Sequence, residues 1–336
     1  RQAGWCTTLG SPITGDVLTV LADTLDSTTE TGRRTLAWAD DPDFDALPIR
    51  IAGGLHALAK RGADLALSAL YRSENHDALT IIPRIIAEHD GWLQQWLDRP
   101  PQTNEVARSA MLWPGLMAIA RRFGPDMALF ELGSSAGLNL NLDRFGYDLG
   151  GVLAGDQASL VQLKPDWHGP KLEPVPVTIV TRAGVDRDPV DLTDAKEVER
   201  LLSFVWVGQD ERRRRLEGAI AIAARHPPPV AKGDLVDWLE KRLQEPATPG
   251  VTRVVFNSIV LQYVSKAARQ NVAALLAEAG AKACMETPLA WLQMEMIEMG
   301  KPSELTLQCW PGGDSRLLAR VHPHGARIGW LGENGV

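Results

Sequence analysis

One stretch, Ala128-Leu-Phe-Glu131-Leu-Gly133-Ser-Ser135-Ala-Gly137-Leu-Asn-Leu140, decides the reading of the fold. The apolar run Met127 to Leu132 has the length of a buried strand and carries an acid, Glu131, at its end. Gly133 and Gly137 then allow a tight bend, and Leu138 to Phe145 has helical spacing. A strand, a Gly/Ser turn and a helix in immediate succession open a parallel α/β sheet.

Downstream the same alternation continues. Val177 to Thr181 and Val251 to Phe256 are β-branched, strand-like runs. Thr193 to Trp206, Asp210 to Arg225 and Lys266 to Gly280 carry helical spacing, the last ending in glycine. Leu305 to Trp310 and Leu317 to Val321 predict a hairpin across Pro311-Gly-Gly-Asp314. Residues 146–176 are rich in Gly, Pro and Asp and read as an irregular insertion. Upstream the pattern is helical throughout: Val17, Val20, Leu21 and Leu25 recur at i, i+3, i+4 and i+8. The expectation is an α/β protein with a helical N-terminal domain over 1–123. A Rossmann-like domain follows over 124–336, mostly parallel, with helices on both faces and a C-terminal hairpin.

Composition narrows the function. The 336 residues are 45% hydrophobic and 23% charged, as expected of a packed globular chain. With 35 basic against 42 acidic residues the net charge is −7, which argues against nucleic acid or an anionic membrane as partner. Cys6, Cys284 and Cys309 form neither a disulfide framework nor a zinc pattern, and Arg1 to Trp5 carries no apolar signal core. A cytoplasmic protein acting on a small molecule is expected. Its oligomeric state stays open.

The turn itself supports three readings. Glu131-x-Gly133-x-x-x-Gly137 resembles the first motif of class I S-adenosylmethionine-dependent methyltransferases, although Ser135 stands where a middle glycine is usual. Gly133-Ser-Ser135-Ala-Gly137 also fits the G-x-S-x-G elbow of α/β-hydrolases, with Ser135 as nucleophile and His322 or His324 as base. A packing turn with no further role is the third. Residues 1–122 lack the strands and oxyanion loop that the hydrolase requires.

Ligands of open parallel sheets bind at the carboxyl ends of the strands, so polar residues should follow each one. Gly184-Val-Asp186-Arg-Asp-Pro189, Val230-Ala-Lys-Gly-Asp234-Leu235 and Arg253-Val-Val-Phe-Asn257 do so in the expected order. The methyltransferase resemblance implies that Glu131, Gly133, Ser134, Ser135 and Gly137 hold the amino-acid end of S-adenosylmethionine. It implies Asp186 at the ribose, Asp234 and Leu235 at the adenine, and Asn257 beside the reacting centre. Fifty-five residues separate Glu131 from Asp186, against about 20 in a compact unit, and the insertion accounts for the excess.

Other segments, Arg99-Pro-Pro-Gln-Thr-Asn-Glu-Val106, Phe130 to Arg144, Ala224-Arg-His-Pro-Pro-Pro-Val230 and Trp310-Pro-Gly-Gly-Asp314 with His322-Pro-His324-Gly325, resemble a bacterial family, domain-of-unknown-function family 2332. That resemblance spans nearly the whole chain and implies no particular reaction.

For the acceptor the best candidates are Gln102, Thr103, Asn104 and Glu105, with Arg108 one turn along. Glu105 could serve as general base and Arg108 could bind a carboxylate. The same residues also suit a helix start, with Thr103 or Asn104 as cap and Glu105 to Arg108 as an i, i+3 pair. His322 and His324 read as a surface turn without metal-ligand partners nearby. Met294, Met296 and Met299 near Trp291 read as core filling. A cofactor-binding protein without catalysis remains an alternative, because no base is identified by pattern alone.

Overall fold

The computed structural model describes residues 2–298 and 301–333. Met299, read above as core filling, lies outside the described residues. The helices are α1 (Gln2–Thr8), α2 (Pro12–Thr24), α3 (Glu30–Leu36), α4 (Leu47–Arg61), α5 (Leu65–Tyr71), α6 (Ala78–Glu88), α7 (Asp90–Leu97), α8 (Ser109–Phe123), α9 (Ala195–Ser203), α10 (Asp210–Arg225), α11 (Leu235–Gln244) and α12 (Lys266–Ala281). The strands are β1 (Asp126–Leu132), β2 (Gly146–Asp148), β3 (Leu153–Gly155), β4 (Gln162–Leu163), β5 (Asp166–His168), β6 (Thr178–Asp186), β7 (Val230–Lys232), β8 (Thr252–Ser258), β9 (Leu289–Glu295), β10 (Ser303–Trp310), β11 (Ser315–Val321) and β12 (Arg327–Trp330).

The chain divides into two compact units, one of residues 1–103 and 193–214, the other of 104–192 and 215–336. The sequence division at 123/124 differs from this one in two ways: α8 groups with the sheet, and α9 with the early helices.

In the first unit the 3.6-residue apolar spacing buries Val17, Leu21, Ile51, Leu55, Ile82, Ile85 and Leu93 in one core. Thr29, Asp64 and Asp77 start α3, α5 and α6 by accepting the N–H groups of Gly32, Leu67 and Thr80. The second piece of chain completes this unit. Phe204 meets the edge of Trp96 with ring centroids 5.6 Å apart, and His56 Nδ1 lies 3.0 Å from the carbonyl oxygen of Ser203.

The second unit is an α/β layer with a nine-stranded sheet in the order β5-β12-β11-β10-β9-β8-β1-β6-β7. Strands β7, β6, β1, β8 and β9 are mutually parallel, and β10, β11 and β12 continue antiparallel. Helices cover both faces. Phe130, Val185, Val255 and Trp291 pack against Leu239 of α11 and against Val272 and Leu276 of α12. On the opposite face α8 approaches so closely that a Cβ on Gly115 would lie 2.5 Å from Leu292.

The expected hairpin forms as β10 and β11. Residues 146–176 are less irregular than their composition suggests: β2, β3 and β4 form a small sheet, and β5 pairs with β12 at the edge of the large one. The helix expected over Leu138 to Phe145 is instead a 3-10 segment, Leu138–Arg144, with Asn141 outside helical geometry. The Arg182 guanidinium, bound to Leu140 O, Asn141 Oδ1 and both oxygens of Asp143, fixes that tighter winding. Among the described residues no helix is long and apolar enough to cross a membrane.

Candidate functional site

From β1 the chain passes to β6 and β7 on one side, then crosses back to β8 and β9 on the other. The strand order therefore reverses at β1, and ligands of such sheets bind outside the carboxyl ends at that point. The turn after β1 has positive φ at Gly133 (70°), Ser135 (53°) and Gly137 (71°). Its N–H groups are moored mainly on β6. Gly133 and Ser134 donate to Val185 O at 2.9 and 3.0 Å, and Ser135 donates to Asp186 Oδ2 at 2.7 Å. Gly133 is required twice over: its φ favours glycine, and a Cβ there would sit 2.5 Å from Val260.

Glu131 is 2% exposed, on the face of β1 that α8 covers. Burial pushes its carboxyl well above the usual range; the nearby Ser134 hydroxyl, which donates to the Glu131 backbone carbonyl, opposes this, the charge of Asp186 adds to it, and Arg108 opposes it. Its Oε2 is buried with no hydrogen-bond partner. Asp186 points to the same face two residues beyond Gly184, the partner of Glu131 in the ladder. Its Oδ1 accepts the N–H of Asp188 at 2.9 Å.

The other strand-tip residues are placed differently. Asn257 is fully buried, and both ends of its amide are engaged: Oδ1 accepts from Trp291 Nε1 at 2.9 Å and Nδ2 donates to Glu295 Oε1 at 2.7 Å. Strand alternation puts Asn257, Trp291 and Glu295 on the face opposite Glu131, so Asn257 does not stand beside Glu131 and Asp186. Asp234 is exposed and starts α11, its Oδ1 accepting the N–H groups of Val236 and Asp237 at 2.8 and 3.3 Å. Leu235 is the first residue of that helix.

Segment 104–109 runs against the turn. Asn104, with φ at 33°, accepts the N–H of Leu138 on its Oδ1 at 3.1 Å. Asn139 accepts from Ser109 Oγ at 2.8 Å and donates to Glu105 O at 3.4 Å. Glu105 is 3% exposed and its Oε1 accepts from Ala107 N, capping a 3-10 turn over Val106–Arg108. The cap is thus Glu105 itself, and neither Thr103 nor Asn104 fills that role. Arg108 donates to Ser258 O at 2.9 Å and to Pro323 O at 3.0 Å. Gln102 and Thr103 belong to the first unit.

One group, Glu295, carries no sequence signal, and two histidines named above take a place that spacing does not predict. Glu295, 9% exposed at the end of β9, accepts the N–H groups of Val260 and Leu261 as well as the Asn257 amide. Burial raises its carboxyl, while those hydrogen bonds and Arg108 pull it down. Its strand went unread because Leu289–Glu295 is apolar on both faces and carries no alternation. His322 and His324, read as a surface turn, lie over the Glu105–Arg108 segment: a Cβ on Gly325 would come within 2.4 Å of Ala107 O. His322 Nδ1 accepts the N–H of His324 at 3.1 Å. Burial lowers its pKa, with Arg327 adding to the effect and Glu105 opposing it. No local signal marks this long-range contact.

Backbone strain concentrates here. Of the five non-glycine residues with positive φ among the described residues, Asn104, Ser135 and Ile259 lie in these converging segments, and Ile259 is β-branched. Such conformations cost about 1–3 kcal/mol each and cluster at ligand sites. Chemically, the arrangement offers buried carboxyls of raised pKa, one guanidinium in their field and an imidazole whose lowered pKa favours its uncharged form, all suited to a polar or cationic ligand group.

The fold and this site together define an α/β protein with a cluster of buried polar groups at the switch point of a parallel sheet. The chain belongs to the family described as "Uncharacterized protein conserved in bacteria (DUF2332)", which residues 1–330 match. No curated protein matches its sequence. Among solved structures it is similar to the crystal structure of Streptomyces venezuelae DesVI, at 9% identity and a TM-score of 0.26, over 70% of this chain and 82% of that one.

Proposed function

We propose that the crevice at the tips of β1 and β6 binds S-adenosylmethionine and that the protein transfers its methyl group to a small molecule. The observation that carries this reading is Glu131 Oε2, buried without a partner beside Gly133 and on the same face as Asp186. A buried carboxyl oxygen left unmet costs about 1–3 kcal/mol, and the ammonium of an amino-acid moiety would relieve it.

The other residues fit in part. Asp186 holds the turn with one hydrogen bond on each oxygen, and a carboxylate accepts about four, which leaves capacity for two ribose hydroxyls. Asp234 caps α11 through Oδ1 alone and keeps Oδ2 for an exocyclic amine, with Leu235 beside it. Ser134, Ser135 and Gly137 supply the curved backbone. Asn257 does not fit a contact with the cofactor; its amide positions Glu295 and Trp291.

When bound, S-adenosylmethionine supplies an electrophilic sulfonium methyl. Methyl transfer from such a centre is an in-line displacement, in which the protein's work is to orient the partners and exclude water. The rigid turn, locked to β6 through Asp186, performs the first task. Glu105 is the candidate to take a proton from the acceptor. Arg108, bound to two carbonyl groups, holds the loop after β8 against the His322–Gly325 turn.

Calorimetry with S-adenosylmethionine and S-adenosylhomocysteine tests the proposal: micromolar binding that Glu131→Gln abolishes supports it, and no binding to the folded protein removes it. Binding without turnover against metabolite extracts would leave a cofactor-binding protein. The positive φ of Ser135 favours a hydrolase elbow as second reading. Covalent labelling of Ser135 by a fluorophosphonate would establish that instead.

A further inference from the structure

At the opposite end of the sheet, the last turn of α8 faces β10 and β11 across a cavity of about 160 Å3. Its lining includes Arg121, Arg122, Cys309, Asp314, Arg316 and Glu333. Trp310, at the end of β10, pairs with Leu289 at the start of β9, so this cavity lies towards the amino ends of the parallel strands. It is therefore remote from the Glu131 crevice.

The ladder places Arg316 directly opposite Leu307, and directly paired residues share one face. Leu307 and Cys309, two apart on β10, share that face too. The charges of both Arg122 and Arg316 act on the Cys309 thiol, which burial nonetheless pushes up to about 11. Two guanidiniums thus converge on one buried sulfur.

Their compensation differs. Arg121 is matched by Glu333 at 2.8 Å and Glu173 at 3.0 Å. Arg122 donates to Pro311 O at 2.7 Å and lies over the Phe123 ring, with no carboxylate among its partners in the described residues. Among the described residues Arg316 has no carboxylate within ion-pair distance. The lining carries three guanidiniums and the carboxylates Asp314 and Glu333, and Arg121 takes Glu333 together with Glu173, so Arg122 and Arg316 are left without an ion-pair partner among the described residues. Like charges held together around a partly enclosed volume repel unless an anion joins them.

We propose that this cavity is a binding site for a small oxyanion of the phosphate class, held by Arg122 and Arg316. About 10–15 Å3 of such space already admits one water, so a cavity of about 160 Å3 has room for a tetrahedral oxyanion with residual hydration. Planar guanidiniums match its oxygens in paired hydrogen bonds. This inference does not depend on the methyltransferase reading.

Titration of the full chain with inorganic phosphate, followed by calorimetry at constant ionic strength, tests it. Saturable binding at millimolar Kd or tighter is expected, weakened about tenfold or more by Arg316→Gln and by Arg122→Gln. Arg320→Gln, on the same strand but exposed and near Glu304, should leave binding unchanged. Circular dichroism and an unaltered melting temperature establish that each variant is folded. Absence of saturable binding to the wild type, or equal weakening by Arg316→Gln and Arg320→Gln, would overturn the proposal.

Discussion

The carboxylate of Asp186 accepts the backbone N–H of Ser135 at 2.7 Å, joining the tip of β6 to the turn after β1 across fifty-one residues. Its other oxygen accepts the N–H of Asp188. Asp186→Ala therefore removes the acceptor for two backbone donors and should destabilise the protein by about 1–3 kcal/mol. Denaturant unfolding reads this as a lower midpoint. If the carboxylate also meets a ribose, Asp186→Asn loses affinity for S-adenosylhomocysteine by more than its stability loss accounts for.

Glu131→Gln should act in opposite directions on stability and on ligand binding. Burial raises the Glu131 carboxyl in the folded protein, so between the unfolded and folded pKa the native state binds more protons than the unfolded one. Stability then falls as pH rises through that window. The glutamine variant carries no such loss, so it should gain melting temperature over the wild type, more at about pH 8 than at about pH 5. Its affinity for S-adenosylmethionine should collapse. A destabilised variant at high pH would mean that the carboxylate is met by a donor inside the protein.

Asn257→Ala should behave as a structural lesion. It strips the Trp291 indole and Glu295 of one partner each inside the sheet. A loss of about 2–5 kcal/mol is expected, with cofactor affinity unchanged in whatever fraction folds. Tryptophan fluorescence during unfolding separates these two readouts.

In the helical unit the sign with pH is opposite. His56 stacks on Tyr71 with ring centroids 5.3 Å apart, and burial lowers its pKa from 6.5 to about 4. Between those values the unfolded chain binds more protons, so stability is complete above about pH 6.5 and declines as pH falls towards 4. The loss approaches roughly 3 kcal/mol at the low end. His56→Gln should flatten this portion of the pH–stability curve measured by urea unfolding.

Gly325→Ala tests the contact between the histidine turn and the Glu105–Arg108 segment. Gly325 has φ of 71°, and the added methyl would collide with Ala107 O at 2.4 Å. A cost of about 1–3 kcal/mol is expected, together with a loss of any activity that needs Glu105 in place.

Much of the fold could be read directly. The apolar runs of β1 and β8, the helices of the first unit and the β10–β11 hairpin all carry periodicity strong enough to dominate local choice. What escaped did so for physical reasons. β9 is buried on both faces and shows no alternation, and the 3-10 segment after Gly137 is imposed by Arg182, forty-two residues from Leu140. Of the candidate site, the acids Glu131 and Asp186 could be located by their positions after strands. Asn257 sits after a strand equally well, but its side chain faces the other layer, and a one-residue difference in alternation is invisible without the register. His322 reaches the segment around Ala107 only through tertiary contact, which no spacing encodes.

The helical unit is assembled from two lengths of chain, with 104–192 interposed and belonging elsewhere. During synthesis its first seven helices emerge without Phe204 and Ser203, the groups that meet Trp96 and His56. At ribosomal rates of roughly 5–20 residues per second, that half-built core waits on the order of ten seconds for its closing piece. Nascent chains stalled before residue 193 should therefore be the most vulnerable to chaperone capture and proteolysis, and a gene fragment cut at a single boundary leaves this unit incomplete.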